Sequence, residues 1–214
     1  RNRSTTCGAP ISSGAFLGLC DSCLSSPRGV SYRVIVSGCD GSVVPPYRYV
    51  VYLGSFGDVV KVGVSRLDRN GSSNGFLFRL LEQGVEHFAV FDGGWNVCVA
   101  QSVEVKLVEE FGFVDRVSFL DKLDLFYEDG LSLGEFSSIV SEVHDFLGSG
   151  VSLVSQGMLS WPRLSAFDFV WHGSFVSGEI VGFRGNLVLF DDGSSRFAVD
   201  LSSLVGSGVV CWEV

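Results

Sequence analysis

Short apolar runs and amphipathic segments follow one another in a regular order through the middle of the chain. Residues 49–66 form two apolar runs around a glycine-containing turn, which predicts a β-hairpin. Residues 76–84 (FLFRLLEQG) predict a short helix, residues 87–91 (HFAVF) a third strand, and residues 100–112 (AQSVEVKLVEEFG) a second helix. This order predicts an α+β domain in which a small antiparallel sheet is flanked by helices.

The predicted hairpin separates its side chains into two faces. With Phe56 and Gly57 at the tip, Tyr52 lies opposite Lys61 on a face lined with glycine. The other face is expected to be a core face and carries Val51, Leu53, Val60 and Val62. A phenol next to an ammonium group is a candidate acid/base pair, and an ordinary cross-strand contact on a solvated face is the alternative.

Each of the two predicted helices carries a charged residue of interest. In the first helix, Leu77 and Leu81 lie on one side, Arg79 lies on the other, and Gly84 ends the helix. The apolar stripe of the second helix consists of Val103, Leu107, Val108 and Phe111. Glu104 falls inside this stripe, where an unpaired carboxylate is costly. We expect Glu104 either to extend to solvent from the edge of the stripe or to meet a cation, a metal ion or a catalytic partner.

The last third of the chain combines one helix with several strand-like runs. Ser132 and Glu135 form a capping box at the start of a helix that ends before Gly148. Beyond residue 150, short β-like runs separated by turns predict a small β-rich domain. The expected division is a cysteine-rich module (1–46), an α/β domain (47–128), a connecting helix (129–149) and a C-terminal β-rich domain (150–214).

Four of the six cysteines lie in the first fifth of the chain, in a segment poor in core-forming residues. Cys20 and Cys23 have the C-x2-C spacing with which two thiolates reach one tetrahedral ion, and Cys7 and Cys39 lie on either side. We expect these four thiolates to hold a structural zinc ion, because the segment needs an external source of folding energy. Two disulfide bonds or unpaired structural thiols are the alternatives. The remaining cysteines, expected in the core, are Cys98 and Cys211.

The charge balance limits the classes of partner. With 15 basic and 24 acidic residues, the formal net charge is −9, which argues against a protein that coats nucleic acid nonspecifically but permits a local basic site. No apolar run is long enough to span a membrane, and residues 1–14 lack the apolar region of a signal peptide. We therefore expect a cytoplasmic protein. Because the G-x-G-x-x-G and Walker A patterns are absent from the sequence, no small-molecule cofactor is expected.

Three segments of the chain carry a resemblance to a known family. They are VVYLGSFGDVVKVGVSR (50–66), FRLLEQG (78–84) and SVEVKLVEEFGFVDRVSFLDKLDLF (102–126). Together with the tail GEIVGFRGNLVLFDDGSSRFAVDLSSLVG, they resemble the uncharacterised domain-of-unknown-function family twenty-seven ninety-seven of archaea and bacteria. That family joins a cysteine-bearing N-terminus to a core of the form Y-L-x-x-F-G, K-V-G-x-x-R and R-x-x-x-Q-G. The core in turn resembles the GIY-YIG endonuclease superfamily over residues 49–111.

The resemblance to GIY-YIG endonucleases implies roles for four residues. Tyr52 matches the tyrosine of the first motif, and Lys61 stands where the second motif has its tyrosine. Arg79 matches the arginine that steadies the phosphate, and Glu104 matches the carboxylate that binds a divalent metal ion, Mg2+ or Mn2+. The sequence departs from the superfamily at Lys61, and it has no convincing equivalent of the superfamily's late asparagine.

The function that the resemblance implies is nucleic-acid processing by metal-dependent phosphodiester hydrolysis, with DNA or RNA as the substrate. In this interpretation Tyr52 and Lys61 handle protons, Arg79 binds the phosphate and Glu104 holds the metal ion. The alternative is a noncatalytic zinc-containing module that binds nucleic acid or protein and has lost the cutting chemistry. The three histidines are dispersed and lack ligand spacing, so they are expected to be structural.

Overall fold

A computed structural model describes residues 20–26, 39, 47–67, 74–124, 130–161, 166–171 and 176–201. The helices are α1 (Asp21–Ser25), α2 (Asn74–Gln83), α3 (Val97–Phe111), α4 (Phe119–Asp124) and α5 (Leu133–Leu147). The strands are β1 (Tyr49–Phe56), β2 (Val59–Arg66), β3 (His87–Trp95), β4 (Ser152–Met158), β5 (Phe169–Val170), β6 (Glu179–Arg184), β7 (Leu187–Asp191) and β8 (Arg196–Asp200). None of the helices in these ranges has the length and apolar character that crossing a membrane requires.

The central sheet has the strand order β2-β1-β3-β4, and all of its neighbouring strands are antiparallel. The predicted α+β class, with an antiparallel sheet and flanking helices, is therefore confirmed. On one face, residues of β1 and β2 pack against α3 and α5 through Val97, Ala100, Leu107, Phe136, Val140 and Val143. On the other face, Val50, Tyr52 and Phe56 pack against Phe76 and Leu80 of α2. Because both faces are covered, every residue of β1 is buried.

The hairpin register differs from the prediction by two residues. Gly57 and Asp58 form the turn, so Tyr52 pairs with Gly63 and Lys61 pairs with Gly54. A shift of two positions leaves each side chain on its predicted face, because the side-chain period of a strand is two. Tyr52 and Lys61 therefore share a face, in neighbouring and not in opposite positions. The alternative of a solvated face is wrong, since this face is covered by α2.

The predicted start of α5 and the predicted ends of α2 and α5 are confirmed, and α2 differs in its buried side. The N-cap of α5 is Ser132, which forms the predicted capping box with Glu135. Gly84, with φ of 79°, follows the end of α2 as predicted. The buried residues of α2, however, are Phe76 and Leu80. The pairs 76/80 and 77/81 have the same helical spacing, so periodicity alone does not choose between them, and the sheet buries the pair with the aromatic ring.

The strand after α5 joins the central sheet. β4 pairs with β3 over its length, from His87 opposite Met158 to Asp92 opposite Ser152. The central sheet therefore extends into the region beyond residue 150 that the sequence analysis assigned to the C-terminal domain. A second sheet, of order β5-β8-β7-β6, contains strands at three of the predicted runs. The last predicted run, residues 208–214, lies outside the described residues.

The cysteines do not form the predicted set of four zinc ligands. Cys39 is bonded to Cys98 in a disulfide, so the prediction of Cys39 as a zinc ligand is wrong. Cys98 is partly buried and packs against the core, but as half of this disulfide. A disulfide sulfur has no thiolate to offer a metal ion. Cys20 is the N-cap residue of α1, Cys23 is buried within that helix, and Cys7 lies outside the described residues. Over the described ranges, no group of three or more His, Cys, Asp or Glu side chains is arranged to hold a metal ion.

Candidate functional site

Tyr52 lies in the middle of β1, and only 2% of its surface is exposed. Its phenol extends across Gly63 of β2, where a Cβ atom would overlap the ring and the hydroxyl group. The hydroxyl donates a hydrogen bond to Oε1 of Gln83 in α2 at 3.1 Å. The glycine on β2 therefore allows the Tyr52 phenol to lie between the hairpin and α2.

Lys61 lies on β2, which is the edge strand of the central sheet among the described residues. The chain that follows α3 runs along this edge, with hydrogen bonds from Val62 N to Val114 O at 2.9 Å and from Val114 N to Val60 O at 3.1 Å. This pairing brings the carbonyl group of Asp115 to Lys61, whose Nζ donates a hydrogen bond to it. The ammonium group is thereby held in a place where only 9% of the lysine is exposed.

Arg79 lies on α2, one turn before the glutamine that accepts the Tyr52 hydrogen bond. Its Nη1 forms an ion pair with Oε2 of Glu82 at 3.1 Å, and 44% of the arginine side chain is exposed. An exposed pair of this kind contributes little to stability. Arg79 thus presents a guanidinium group that is open to solvent on one side and acts on the buried Tyr52 on the other.

Glu104 lies on the sheet-facing side of α3, and it is partly buried. The helix is fixed by Asn96, whose side chain accepts a hydrogen bond from Val99 N at 3.0 Å, and it ends at Gly112 in the left-handed conformation. Leu107, one turn along the helix, is fully buried in the core. This packing keeps the Glu104 carboxylate close enough to Lys61 for the two charges to interact.

The four residues singled out in the sequence come together in the structure. The charges of Arg79 and Glu104 both act on Tyr52, and the same two charges act on Lys61. The four side chains are supplied by β1, β2, α2 and α3, so the convergence depends on the whole central unit. We refer to Tyr52, Lys61, Arg79 and Glu104 as the four-residue site.

Burial moves the pKa values of Glu104 and Lys61 toward neutral pH. Desolvation raises the pKa of Glu104 to about 7, against the opposing effect of the Lys61 charge. Desolvation likewise lowers the pKa of Lys61 to about 8, against the opposing effect of the Glu104 charge. A carboxyl and an amine that titrate this close to pH 7 are suited to proton transfer and to charge-dependent binding.

The phenol of Tyr52 stays protonated at neutral pH. Burial raises the pKa of Tyr52 above its ordinary value of 10.0, and the Arg79 charge only partly offsets this effect. Tyr52 is therefore a hydrogen-bond donor in this site and not a resident phenolate.

Three further residues belong to the surroundings of the site and were missed in the sequence. Gln83 lies one helical turn after Arg79, within the R-x-x-x-Q-G pattern, so its position could have been noticed. Asp115 contributes its backbone carbonyl, which no residue-type pattern reveals, and its carboxylate charge acts on both Lys61 and Glu104. Lys122 is brought near by the second sheet, and its charge acts on Lys61.

The chemistry of Glu104 fits a divalent cation. Its oxygens are hard ligands of the kind that Mg2+ prefers, and Mg2+ is commonly bound by one or two carboxylates together with substrate phosphates and water. Within the described part of the chain, no side chain or backbone group donates a hydrogen bond to this carboxylate. Glu104 thus has the acceptor capacity that a metal ion uses.

Comparison with protein-family models, with curated proteins and with solved structures finds no match to this chain.

Proposed function

We propose that the protein hydrolyses phosphodiester bonds of nucleic acid in a metal-dependent reaction at the four-residue site. The observation that carries the proposal is the convergence of a phenol, an ammonium, a guanidinium and a carboxylate from four different elements. The resemblance to GIY-YIG endonucleases supports it, because Tyr52, Arg79 and Glu104 match that superfamily, Lys61 stands at the position of its second tyrosine, and the elements follow the order hairpin, helix, strand, helix.

The cationic side chains of the site bind the phosphate. Arg79 offers a planar guanidinium that pairs well with phosphate oxygens, and its partial exposure leaves room for a substrate to approach. Lys61 is mostly protonated at pH 7, because its pKa is about 8. Both charges become more valuable as negative charge develops on the phosphorus oxygens in the transition state.

Lys61 and Tyr52 divide the proton handling. Water attacks phosphorus, the bond to the leaving oxygen breaks, and Lys61 gives its proton to that oxygen. The proton released by the attacking water returns to Lys61 through solvent. Tyr52 remains a phenol, since burial raises its pKa, and it positions the water or a phosphate oxygen by hydrogen bonding. Glu104 holds the divalent ion, which when bound supplies charge stabilisation at the phosphate oxygens.

The test of this proposal is cleavage of labelled DNA and RNA by the purified protein with Mg2+ or Mn2+. We expect Glu104→Gln to reduce the rate by about 100-fold or more, as for other groups that stabilise transition-state charge. Glu109→Gln is the matched control, because Glu109 lies on the same helix but is exposed. The rate should rise with pH through about 7 as Glu104 ionises and fall above about 8 as Lys61 loses its proton. Absence of cleavage with both metals, or an unchanged rate in Glu104→Gln, would overturn the proposal.

A noncatalytic binding module is the second candidate, and one observation favours it. Lys61 stands in the position of the second tyrosine, and its ammonium charge acts on Glu104. The positive charge of Lys61 can compensate the negative charge of the Glu104 carboxylate, as a bound metal ion would. In that case nucleic acid binds without being cut, and neither added metal nor Glu104→Gln changes the affinity.

A further inference from the structure

Lys122 on α4 is held between the two sheets. Its Nζ donates a hydrogen bond to Oδ1 of Asn186 at 3.1 Å, and Asn186 in turn donates from Nδ2 to Oδ1 of Asp200 at 2.7 Å. The next residue, Leu123, is buried against Leu187 of the second sheet. The position of the ammonium group is therefore set by the second sheet, which lies outside the part of the chain that resembles a nuclease.

The same ammonium group reaches the face of the central sheet that carries Tyr52 and Lys61. Nζ of Lys122 lies 5.9 Å from the centroid of the Phe56 ring. Phe56 shares its face of β1 with Tyr52 and follows Gly54, the residue paired with Lys61. Residues two apart on one face of a strand are separated by about 7 Å. Lys122 therefore lies beside Phe56, which is one position beyond the residue paired with Lys61 on this face.

The lysines and Arg79 share one electrostatic environment. The charge of Lys122 acts on Lys61, and the charge of Arg79 acts on both lysines. The hydrogen bonds of the two ammonium groups go to neutral oxygens, those of the Asp115 carbonyl and the Asn186 amide. The carboxylates of Asp200 and Glu82 act on Lys122 from a distance, but neither forms an ion pair with it in the described residues.

Three cations that lie close together favour the binding of an anion, in addition to the carboxylates of Glu82, which pairs with Arg79, and of Glu104, which acts on Lys61. In a chain with 15 basic residues and a net charge of −9, such a group is a local exception to the overall charge. A phosphate at Arg79 and Lys61 would satisfy two of these cations. The third, Lys122, lies beside Phe56 on the same face.

We propose that Lys122 binds the phosphate next to the one held by Arg79 and Lys61, so that the second sheet helps to set the path of the nucleic-acid strand. This inference rests on the proposed function, because it takes the substrate to be a chain of linked phosphates. The competing interpretation is that Lys122 is structural and serves only to tie α4 to Asn186.

The experiment measures binding without cleavage. A fluorescein-labelled single-stranded DNA of about 12 nucleotides is titrated with the protein in a chelator, by anisotropy, over a series of salt concentrations. We expect Lys122→Met to weaken binding about tenfold and to reduce the slope of log K against log salt by about 0.7 to 0.9, the value for one phosphate contact. Lys122→Arg keeps the charge and should stay within about threefold of the wild type.

Two control variants separate a phosphate contact from a structural role. Lys106→Met removes an exposed lysine of α3 and should leave the affinity and the slope unchanged. Asn186→Ala removes the partner that positions Lys122 but keeps the lysine charge, so it should leave the slope of log K against log salt unchanged. If Asn186→Ala reduces this slope as much as Lys122→Met, or if Lys122→Arg does not keep the wild-type affinity, Lys122 is structural and the inference is wrong.

The outcomes also distinguish this inference from the proposed function. If the wild type binds DNA and Lys122→Met changes neither the affinity nor the salt slope, the inference is wrong and the proposed function still stands. A wild-type protein that neither binds nor cleaves nucleic acid overturns the proposed function, and the inference falls with it.

Discussion

At the scale of single residues, the pKa values of Tyr52, Lys61 and Glu104 are set by burial more than by partners. Glu104 and Lys61 have opposite charges that act on each other, yet desolvation is the largest cause of the shift in both. Glu104 therefore sits where its charged form is costly. This is the situation expected from its place inside the apolar stripe of α3, and the cation that meets it there is Lys61.

The burial of Glu104 predicts a pH-dependent stability. Its pKa in the folded protein is about 7, above the ordinary value of 4.5, so its contribution to stability is fully present below pH 4.5 and is lost as the pH rises through about 7. Glu104→Gln removes this titration. The variant should therefore gain stability relative to the wild type between pH 5 and pH 8, as measured by urea unfolding at both values.

The matched control for this prediction is Glu109→Gln, on the exposed side of the same helix. Its stability relative to the wild type should be nearly the same at both pH values. A Glu104→Gln variant that shows no more pH dependence than Glu109→Gln would contradict the raised pKa of Glu104.

At the scale of secondary-structure elements, spacing determined which side chains share a face but not which elements meet. The hairpin has its predicted faces with a register shifted by two residues, because the turn lies at Gly57 and Asp58. In α2 the buried pair is Phe76 and Leu80, one position away from the predicted pair. In both cases the local pattern allowed two equivalent arrangements, two registers for the hairpin and two buried pairs for α2. Packing against a neighbouring element selected one of them.

The disulfide between Cys39 and Cys98 joins the cysteine-rich segment to the first turn of α3. We expect its removal to lower the stability of the protein. The two residues are 59 positions apart, and closing a loop of this length stabilises a folded protein by about 2–4 kcal/mol. Cys98→Ser should lower the free energy of unfolding by about this amount.

Reduction supplies the control for the disulfide. The wild type treated with a reductant should lose the same stability as Cys98→Ser, and the variant should not respond to the reductant. Peptide mapping without reduction should recover the Cys39 and Cys98 peptides linked. Disulfide bonds are typical of proteins outside a reducing compartment. Recovery of Cys39 and Cys98 as thiols from freshly prepared cells would contradict the bond. That result would also favour the expected cytoplasmic location.

At the scale of the whole molecule, the second sheet packs against the end of α2 and the start of β3. Nε of Arg184 donates a hydrogen bond to the carbonyl oxygen of Gly84 at 2.9 Å, and Nη2 lies 3.1 Å from Oε1 of Glu86. Gly185 fits against the backbone of Gly84, where a Cβ atom at position 185 would overlap it. These contacts position the second sheet beside the four-residue site and carry Asn186 to Lys122.

Removal of Arg184 should weaken this junction. Only 7% of its side chain is exposed, and loss of a buried charged partner costs about 3–5 kcal/mol. We expect Arg184→Met to lower the free energy of unfolding, measured with urea, by about that amount. If water reaches the partly exposed carboxylate of Glu86 in the variant, the loss is about 2 kcal/mol. Hydrogen exchange in β6, β7 and β8 should accelerate as well.

Arg196→Met is the comparison for this prediction. Arg196 pairs with Asp191 within the second sheet, but 44% of its side chain is exposed, so its removal should cost less than about 1 kcal/mol. Equal effects of the two substitutions would show that the Arg184 contacts do not hold the two sheets together.

The sequence by itself determined the features that depend on neighbours along the chain. The capping box and boundaries of α5, the glycine that ends α2, the two faces of the hairpin and the place of Glu104 in the stripe of α3 all follow from spacings of a few residues. Such features could be predicted because helix and strand periods act locally. They singled out Tyr52, Lys61 and Glu104 as candidates, and the resemblance to GIY-YIG endonucleases added Arg79.

Only the tertiary structure decided the contacts between distant segments. The bond between Cys39 and Cys98, the pairing of β4 with β3 and the approach of Lys122 to Phe56 join residues about 60 positions apart or more. No local period encodes such contacts, because they arise from the competition of whole elements for the same apolar surface. For this reason the sequence indicated candidate side chains for a site, and packing determined what surrounds them.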